Sequence, residues 1–291
     1  MLPRKLHELT QIPNLTDLLI SGTQPVLIDR GRGLEEVPNP YRSVLDLQRD
    51  MVELSYEQGV RLDLSHPMAD LVLGNLRLHL LLPFGIAELP QVSIRVHGRK
   101  EQAFEGPHLE LLQSLAREHK TILICGATGA GKTTLARTLL QGLHERIITI
   151  EQTPELRLGG RSITLFSREP NQEGRGEVTL SDLVTQSLRM RPDRIVVGEV
   201  RGHEFGAFLL AVSSGHPGAI TTLHAKSLDS VPARLEILGL LSGFEVPLTA
   251  RLVAQCVDIV VVLENQSGQR VISEVGRPVI ESGSLEVRSI L

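Results

Sequence analysis

The sequence contains no tryptophan, and aromatic residues make up only 3 % of its 291 positions. Proteins that hold single strands stack the bases on aromatic rings, so a base-stacking platform is not expected. Positive charge is not in surplus either: 30 Lys and Arg stand against 34 Asp and Glu, a formal net charge of -4. A binder that neutralises many phosphates needs the opposite balance, so direct nucleic-acid binding is not expected. Cysteine is scarce. Cys125 and Cys256 form no CxxC pair and no zinc spacing, and each lies in or beside an apolar run, as reduced core thiols do. Long apolar runs are missing too. A spanning helix needs about 18 uncharged apolar residues, and the most apolar run, 78–87, is broken by His79 and Pro83. The N-terminus lacks an apolar signal segment. A soluble chain is the expectation, with 41 % apolar residues to build its core.

The first part of the chain alternates short strand patterns with one amphipathic helix. Val26–Asp29 reads as a strand after the turn residues Ser21-Gly22-Thr23. Val44, Leu47, Met51 and Leu54 recur at helical spacing. Two stretches then alternate as strands do, Arg77-Leu78-His79-Leu80 and Val92-Ser93-Ile94-Arg95-Val96. These patterns predict a small α+β domain over 1–97. A polar segment with two glycines and a proline follows, and 98–108 reads as the linker. Beyond it, strands are expected at 121–125, 147–151, 194–198, 219–224 and 256–262. Helices are expected at 132–142, 179–188, 203–213 and 230–240. That alternation predicts a mostly parallel α/β sheet with helices on its faces. The tail, 267–291, reads as two short strands joined by Gly276-Arg277-Pro278, with a third near the end.

The sharpest motif is Gly126-Ala127-Thr128-Gly129-Ala130-Gly131-Lys132-Thr133, a complete G-x-x-x-x-G-K-[ST] followed by Thr134. An apolar strand precedes it and a helix follows, which is the setting the motif requires. Glycines let the backbone curl until successive N–H groups face an anion. The helix N-terminus adds partial positive charge. Lys132 reaches the β- and γ-phosphates of a nucleotide, and the Thr133 hydroxyl ligates magnesium. Residues 126–134 are thus the expected site for ATP with Mg2+.

Ligands of an open α/β sheet lie beyond the C-terminal ends of its strands. Glu199 ends the apolar run Ile195-Val196-Val197-Gly198, where a carboxylate can polarise the attacking water or hold the magnesium shell. Glu151 ends another such run, and Glu155 lies on the loop behind Pro154; Glu155 is the better placed for the metal. His224 follows Thr222-Leu223 at a third strand end, where an imidazole can sense the γ-phosphate by a hydrogen bond. Arginine forks stabilise charge in phosphoryl transfer, often from a second domain. Arg77 and Arg95 on the polar faces of first-domain strands, and Arg201 behind Glu199, are the candidates.

Four segments stand in order: GATGAGKTT at 126–134, EQTPEL at 151–156, SLRMRPDRIVVGEVRG at 187–202 and SSGHPGAITTLHA at 213–225. Together they resemble the secretion and pilus-assembly ATPase superfamily, the motors of type II and type IV secretion, type IV pili and conjugation. The third segment favours the branch of conjugation-type secretion ATPases and tight-adherence (Flp) pilus ATPases. The resemblance implies a RecA-like P-loop motor domain over 109–291, preceded by a PAS-like α+β domain. It implies Glu199 as the catalytic carboxylate of an atypical Walker B, with Lys132 at the phosphates and Glu155 near the magnesium beside Thr133. It implies His224 as sensor and Arg77 and Arg95 over the nucleotide. It also implies a homo-oligomer, a ring of six, in the cytoplasm at the inner face of the membrane. Such a ring drives an inner-membrane platform protein in pilus assembly or protein secretion, or in conjugative DNA transfer. One departure is plain: the family's Asp after Glu151 is Gln152 here, and a slowly hydrolysing assembly scaffold is the alternative it raises.

Overall fold

A computed structural model describes residues 2–31, 33–96, 104–168, 170, 175–266 and 269–290. The chain divides into two compact units, Met1–Glu101 and Gln102–Leu291. Residues 98–103 of the expected linker lie outside the described residues.

The first unit holds α1 (Arg4–Thr10), β1 (Asp17–Ser21), β2 (Val26–Asp29), β3 (Leu34–Val37), α2 (Val44–Glu57), β4 (Met68–Leu73), β5 (Leu76–Leu81) and β6 (Gln91–Val96). Its strands form one sheet in the order β3-β2-β1-β6-β5-β4, antiparallel at each pairing. Alternation along the strands sends Leu18, Ile20, Leu78, Leu80, Val92 and Ile94 to one face. There they are buried with Leu47, Met51 and Leu54 of α2 and with Leu6 of α1. The Ser43 side chain caps α2 by accepting from the Leu45 N–H. The helix α1 has two turns and too few apolar positions to stand out in the sequence.

The second unit opens with α3 (Pro107–Arg117), whose Pro107 suits the first helical position. This helix starts inside the segment read as linker. Then come β7 (Ile122–Gly126), α4 (Lys132–Leu140), β8 (Ile147–Glu151), β9 (Ile163–Phe166), α5 (Leu180–Ser187), β10 (Arg194–Val197), α6 (Glu204–Ser213), β11 (Ile220–Leu223), α7 (Val231–Leu241), α8 (Val246–Cys256), β12 (Ile259–Gln266), β13 (Gln269–Glu281) and β14 (Ser284–Ser289). The sheet order is β14-β13-β12-β7-β11-β10-β8-β9. The six strands from β12 to β9 are parallel, and β13 and β14 are antiparallel additions at one edge.

Both faces of this sheet are covered, which is why its central strands are buried throughout and mostly apolar. Ile122 and Ile124 pack with Leu112 of α3 and Leu135 and Leu139 of α4. Leu123 and Cys125 face the other way, toward Val184 of α5, Phe205 and Leu209 of α6, Leu235 of α7 and Val253 of α8. Cys125 and Cys256 are both buried free thiols.

Two sequence expectations fail in the C-terminal third. The strand expected from 256 starts at Ile259, because α8 runs through Cys256. Asp258 marks the break: its Oδ2 accepts from the Thr121 N–H at 2.9 Å and its Oδ1 lies 3.3 Å from Lys120 Nζ. The turn expected at Gly276-Arg277-Pro278 does not form, since β13 runs straight through it. Gly276 is the residue at which β13 leaves β12 for β14 alone, pairing with both Val260 and Ser289. A side chain there would lie 2.8 Å from Leu228 Cδ1 and from Val287 Cγ1, so packing demands the glycine and not a turn. Pro278 pairs with Val287 where β12 has already ended, and a sheet edge tolerates a missing N–H.

Candidate active site

The strand β7 delivers a loop at 127–131 whose first three residues are exposed. Gly129 has φ +80°, and Gly131 caps α4 in the left-handed conformation at φ 96°, ψ 20°. Only glycine adopts these angles without strain. Gly126 is constrained by space, since a Cβ would sit 2.8 Å from the Leu263 carbonyl oxygen. The first-turn amides of Lys132, Thr133 and Thr134 have no acceptor inside the helix and sit at the positive end of its dipole. The local geometry is that of an anion cradle.

Lys132 is largely buried, with its ammonium at the base of the loop. Nζ donates to the carbonyl oxygens of Gly126 at 2.9 Å and Ala127 at 3.1 Å, and lies 3.3 Å from His224 Nδ1. The other nitrogen of His224, Nε2, is 2.7 Å from Glu199 Oε1. Glu199 Oε2 in turn accepts from the Arg201 guanidinium. The result is a continuous chain, Lys132–His224–Glu199–Arg201. Burial lowers the pKa of His224, against the pull of Glu199 and with Lys132 and Arg201 in support. A neutral imidazole protonated at Nε2 satisfies both contacts, donating to Glu199 and accepting from Lys132. Burial also lowers the pKa of Lys132, with Glu199 opposing it.

The backbone behind Glu199 is fixed at several points. Gly198 N–H donates to the Ile150 carbonyl at 2.9 Å, Val200 N–H to Thr222 at 3.0 Å, and Thr222 Oγ1 to Gly198 at 2.7 Å. Glu204 at the start of α6 accepts from the backbone N–H groups of Arg201 and Gly202. Three strand ends therefore determine where the carboxylate points.

Glu155 meets the residue that follows the lysine. Its Oε2 accepts from Thr133 Oγ1 at 3.0 Å. Arg137 on α4 holds the loop in place, donating to the carbonyls of Leu156 at 2.7 Å and Glu155 at 2.6 Å. Glu151 is buried and bonds to its own loop. Its Oε1 accepts from the N–H groups of Glu155 and Leu156 at 3.2 and 3.0 Å, and burial raises its pKa. Gln152 is exposed. The carboxylate beside Thr133 is thus that of Glu155, and the residue at 152 takes no part in that contact.

Arg77 and Arg95 belong to the first unit, directly opposite each other on β5 and β6 and on the face away from its core. Arg95 Nε donates to Asp17 Oδ1 at 2.8 Å. Arg194 and His216 sit at the N-terminal ends of their strands, the sheet edge opposite to Glu199 and His224. The Arg194 side chain is fully buried and paired with Glu145. Three residues gave no signal in the sequence: Arg137, Glu204 and Arg270. The last donates from Nη1 to Thr134 Oγ1 at 3.0 Å and joins α4 to β13.

Among the described residues no cluster of three His, Cys, Asp or Glu could cage a metal. Magnesium rarely uses such a cage, because it keeps waters and binds phosphates with one or two protein oxygens. Thr133 and Glu155 fit that requirement.

Residues 44–277 match the protein family described as "Type II/IV secretion system protein". A Mycobacterium tuberculosis protein named for conjugal transfer is 34 % identical over 93 % of this chain and 82 % of its own length. VirB11 of Agrobacterium fabrum is 47 % identical over 36 % of this chain and 31 % of its own. Among solved structures, the VirB11 ATPase from the Brucella suis type IV secretion system, in complex with sulphate, aligns with a TM-score of 0.52 and 25 % identity, over 93 % of this chain and 94 % of that one. With its RecA-like P-loop unit preceded by a smaller α+β unit, the chain belongs to the type II/IV secretion system protein family.

Proposed function

We propose that the protein is a magnesium-dependent ATPase, acting as a ring of identical subunits that powers a secretion or pilus-assembly machine. One observation carries the reading: a single hydrogen-bonded chain joins the P-loop lysine, through His224, to Glu199. The loop amides, Lys132 and the α4 N-terminus bind the phosphates. Thr133 and Glu155 would hold a magnesium ion, which neutralises phosphate charge. Glu199 accepts the proton of the attacking water. His224 lets the base respond to the charge that Lys132 meets. Arg201 occupies the second oxygen of Glu199 in this state, so basal turnover is low until that contact is exchanged. Arg77 and Arg95 are proposed to supply positive charge over the nucleotide from the first unit.

The names of the relatives, conjugal transfer and VirB11, favour a type IV secretion machine over a tight-adherence pilus. The net charge of -4 suits a motor that moves a protein partner and leaves nucleic acid to others. Among the described residues no single helix is long and apolar enough to cross a membrane, so a membrane platform protein is the proposed point of attachment.

The test is ATP hydrolysis with magnesium across protein concentration, comparing wild type with Glu199→Gln. Turnover per subunit is expected to rise with concentration, and the variant to lose ~10²-fold or more. A wild type that binds ATP yet hydrolyses it no faster than the variant at any concentration removes Glu199 from the mechanism.

A further inference from the structure

We propose that Arg270 is a nucleotide-binding residue whose ligand is the α-phosphate of a nucleoside di- or triphosphate. The inference rests on the P-loop holding a nucleotide, as proposed above, and concerns the end of the site that the catalytic residues leave open.

Strand order supplies the first argument. The strand β7 has β11, then β10 and β8, on one side, and β12, then β13, on the other. His224, Glu199 and Glu155 follow β11, β10 and β8, so the γ-phosphate chemistry lies on that flank. Arg270 is on β13, on the opposite flank of the same loop. A polyphosphate lying across the loop with its γ end toward Glu199 turns its α end toward β12 and β13.

Local contacts supply the second. The Arg270 stem packs against the P-loop itself: a Cβ at Gly131 would lie 2.7 Å from Arg270 Cδ and 3.1 Å from Phe104 Cζ. Gly131 is therefore needed for the approach of this side chain as well as for its own backbone angle. The guanidinium donates to Thr134 Oγ1, one residue beyond the metal-binding Thr133. Phosphates are read along a P-loop in that order, with the β/γ groups at the Lys and the first hydroxyl and the α group further on. A guanidinium has five donors in a fixed fork. Thr134 is its one hydrogen-bond partner in the second unit among the described residues, so the fork keeps donors for a phosphate oxygen. Electrostatics agree, because a cation at a helix N-terminus opposes the dipole unless an anion is shared between them.

The contact would also link nucleotide occupancy to the antiparallel edge of the sheet. Arg270 pairs with Asn265 of β12, and β13 continues into the edge pairing with β14.

The experiment is equilibrium titration of the full chain with ADP and with ATP in magnesium-free buffer containing EDTA, for wild type, Arg270→Gln and Arg270→Lys. Arg270→Gln is expected to raise both dissociation constants by the same factor, ten-fold or more, because both ligands carry the α-phosphate. Arg270→Lys keeps charge and stem but loses the fork, and is expected to fall between the two. Thermal melts without nucleotide establish that each variant is folded. A purely structural arginine predicts a lower melting temperature with affinities within about two-fold of wild type, and that result overturns the inference alone. A larger loss for ATP than for ADP moves the contact to the γ end and overturns it too. A wild type that binds neither nucleotide removes the underlying reading as well.

Discussion

Replacing Glu145 with Gln tests whether the sheet edge that carries Glu199 is anchored from the far side of the sheet. Arg194 begins β10, the strand that ends beside Glu199, and its side chain is fully buried. Its Nε donates to Glu145 Oε2 at 2.7 Å, and its Nη2 donates to Glu145 Oε1 at 3.1 Å and to the Ala116 carbonyl at 2.8 Å. Nη1 donates to the Gly218 carbonyl. Gln removes the negative charge and turns an amide N–H toward a guanidinium N–H. Breaking one partner of a buried pair costs about 3–5 kcal/mol, because the remaining charge stays buried without compensation. Two carbonyls remain as acceptors, and the Glu145 side chain is 16 % exposed, so the lower end, about 3 kcal/mol, is expected. For a unit of this size that lowers Tm by roughly 6–12 °C. Urea denaturation of the second unit's transition measures it, as a lower midpoint at constant slope. The double variant Glu145→Leu/Arg194→Met removes both charges and is expected to recover most of the loss. A single-variant loss below about 1 kcal/mol would refute the buried-pair argument.

Three further outcomes follow from the site. Gly131→Ala must place a methyl against Arg270 Cδ in a backbone conformation at φ 96°; it is expected to weaken ADP binding at least ten-fold, and calorimetric titration at wild-type affinity would contradict it. Glu155→Ala leaves Thr133 without its carboxylate partner; the magnesium concentration for half-maximal hydrolysis should rise several-fold, and an unchanged magnesium titration would exclude Glu155 from the metal's surroundings. His224 has a folded-state pKa below its ordinary 6.5, so the unfolded chain binds the extra proton first. Its contribution to stability is full above pH 6.5 and is lost as pH falls below that value. The gap between the denaturation midpoints of wild type and His224→Asn should therefore narrow on acidification, and a gap independent of pH would sink the assignment.

Much of the second unit was legible because its rules are local. The runs at 147–151 and 194–198 are mostly apolar with no period-two alternation, interrupted only by Thr149, Glu151 and Arg194, as a sheet covered on both faces requires, and β8 and β10 match them within a residue. The P-loop, Glu199 and His224 were legible because strand ends and a loop motif determine their edge. The remaining features depend on tertiary contacts. The boundary at 256–259 depends on Asp258 meeting Thr121, far away in sequence. Gly276 was misread because a glycine required by the packing of Leu228 looks the same as one required by a turn. Arg270 was invisible for a similar reason: its partner Thr134 lies across a sheet neighbour, and no periodicity encodes that.

The pairing of β7 has a consequence for the growing chain. Its first residue hydrogen-bonds in register with Ile220 on one side and Ile259 on the other. Both neighbours are made long after β7 itself. At ~5–20 residues per second, the strand that carries the P-loop waits on the order of ten seconds for its last partner. Throughout that interval a fully apolar strand has open edges, the feature that most invites pairing with another chain. The first unit, whose strand pairings all close by Val96, has no such delay. Synthesis therefore presents one finished unit attached to one that is at its most vulnerable, and ribosome-stalled chains ending before β12 should aggregate where chains ending after it do not.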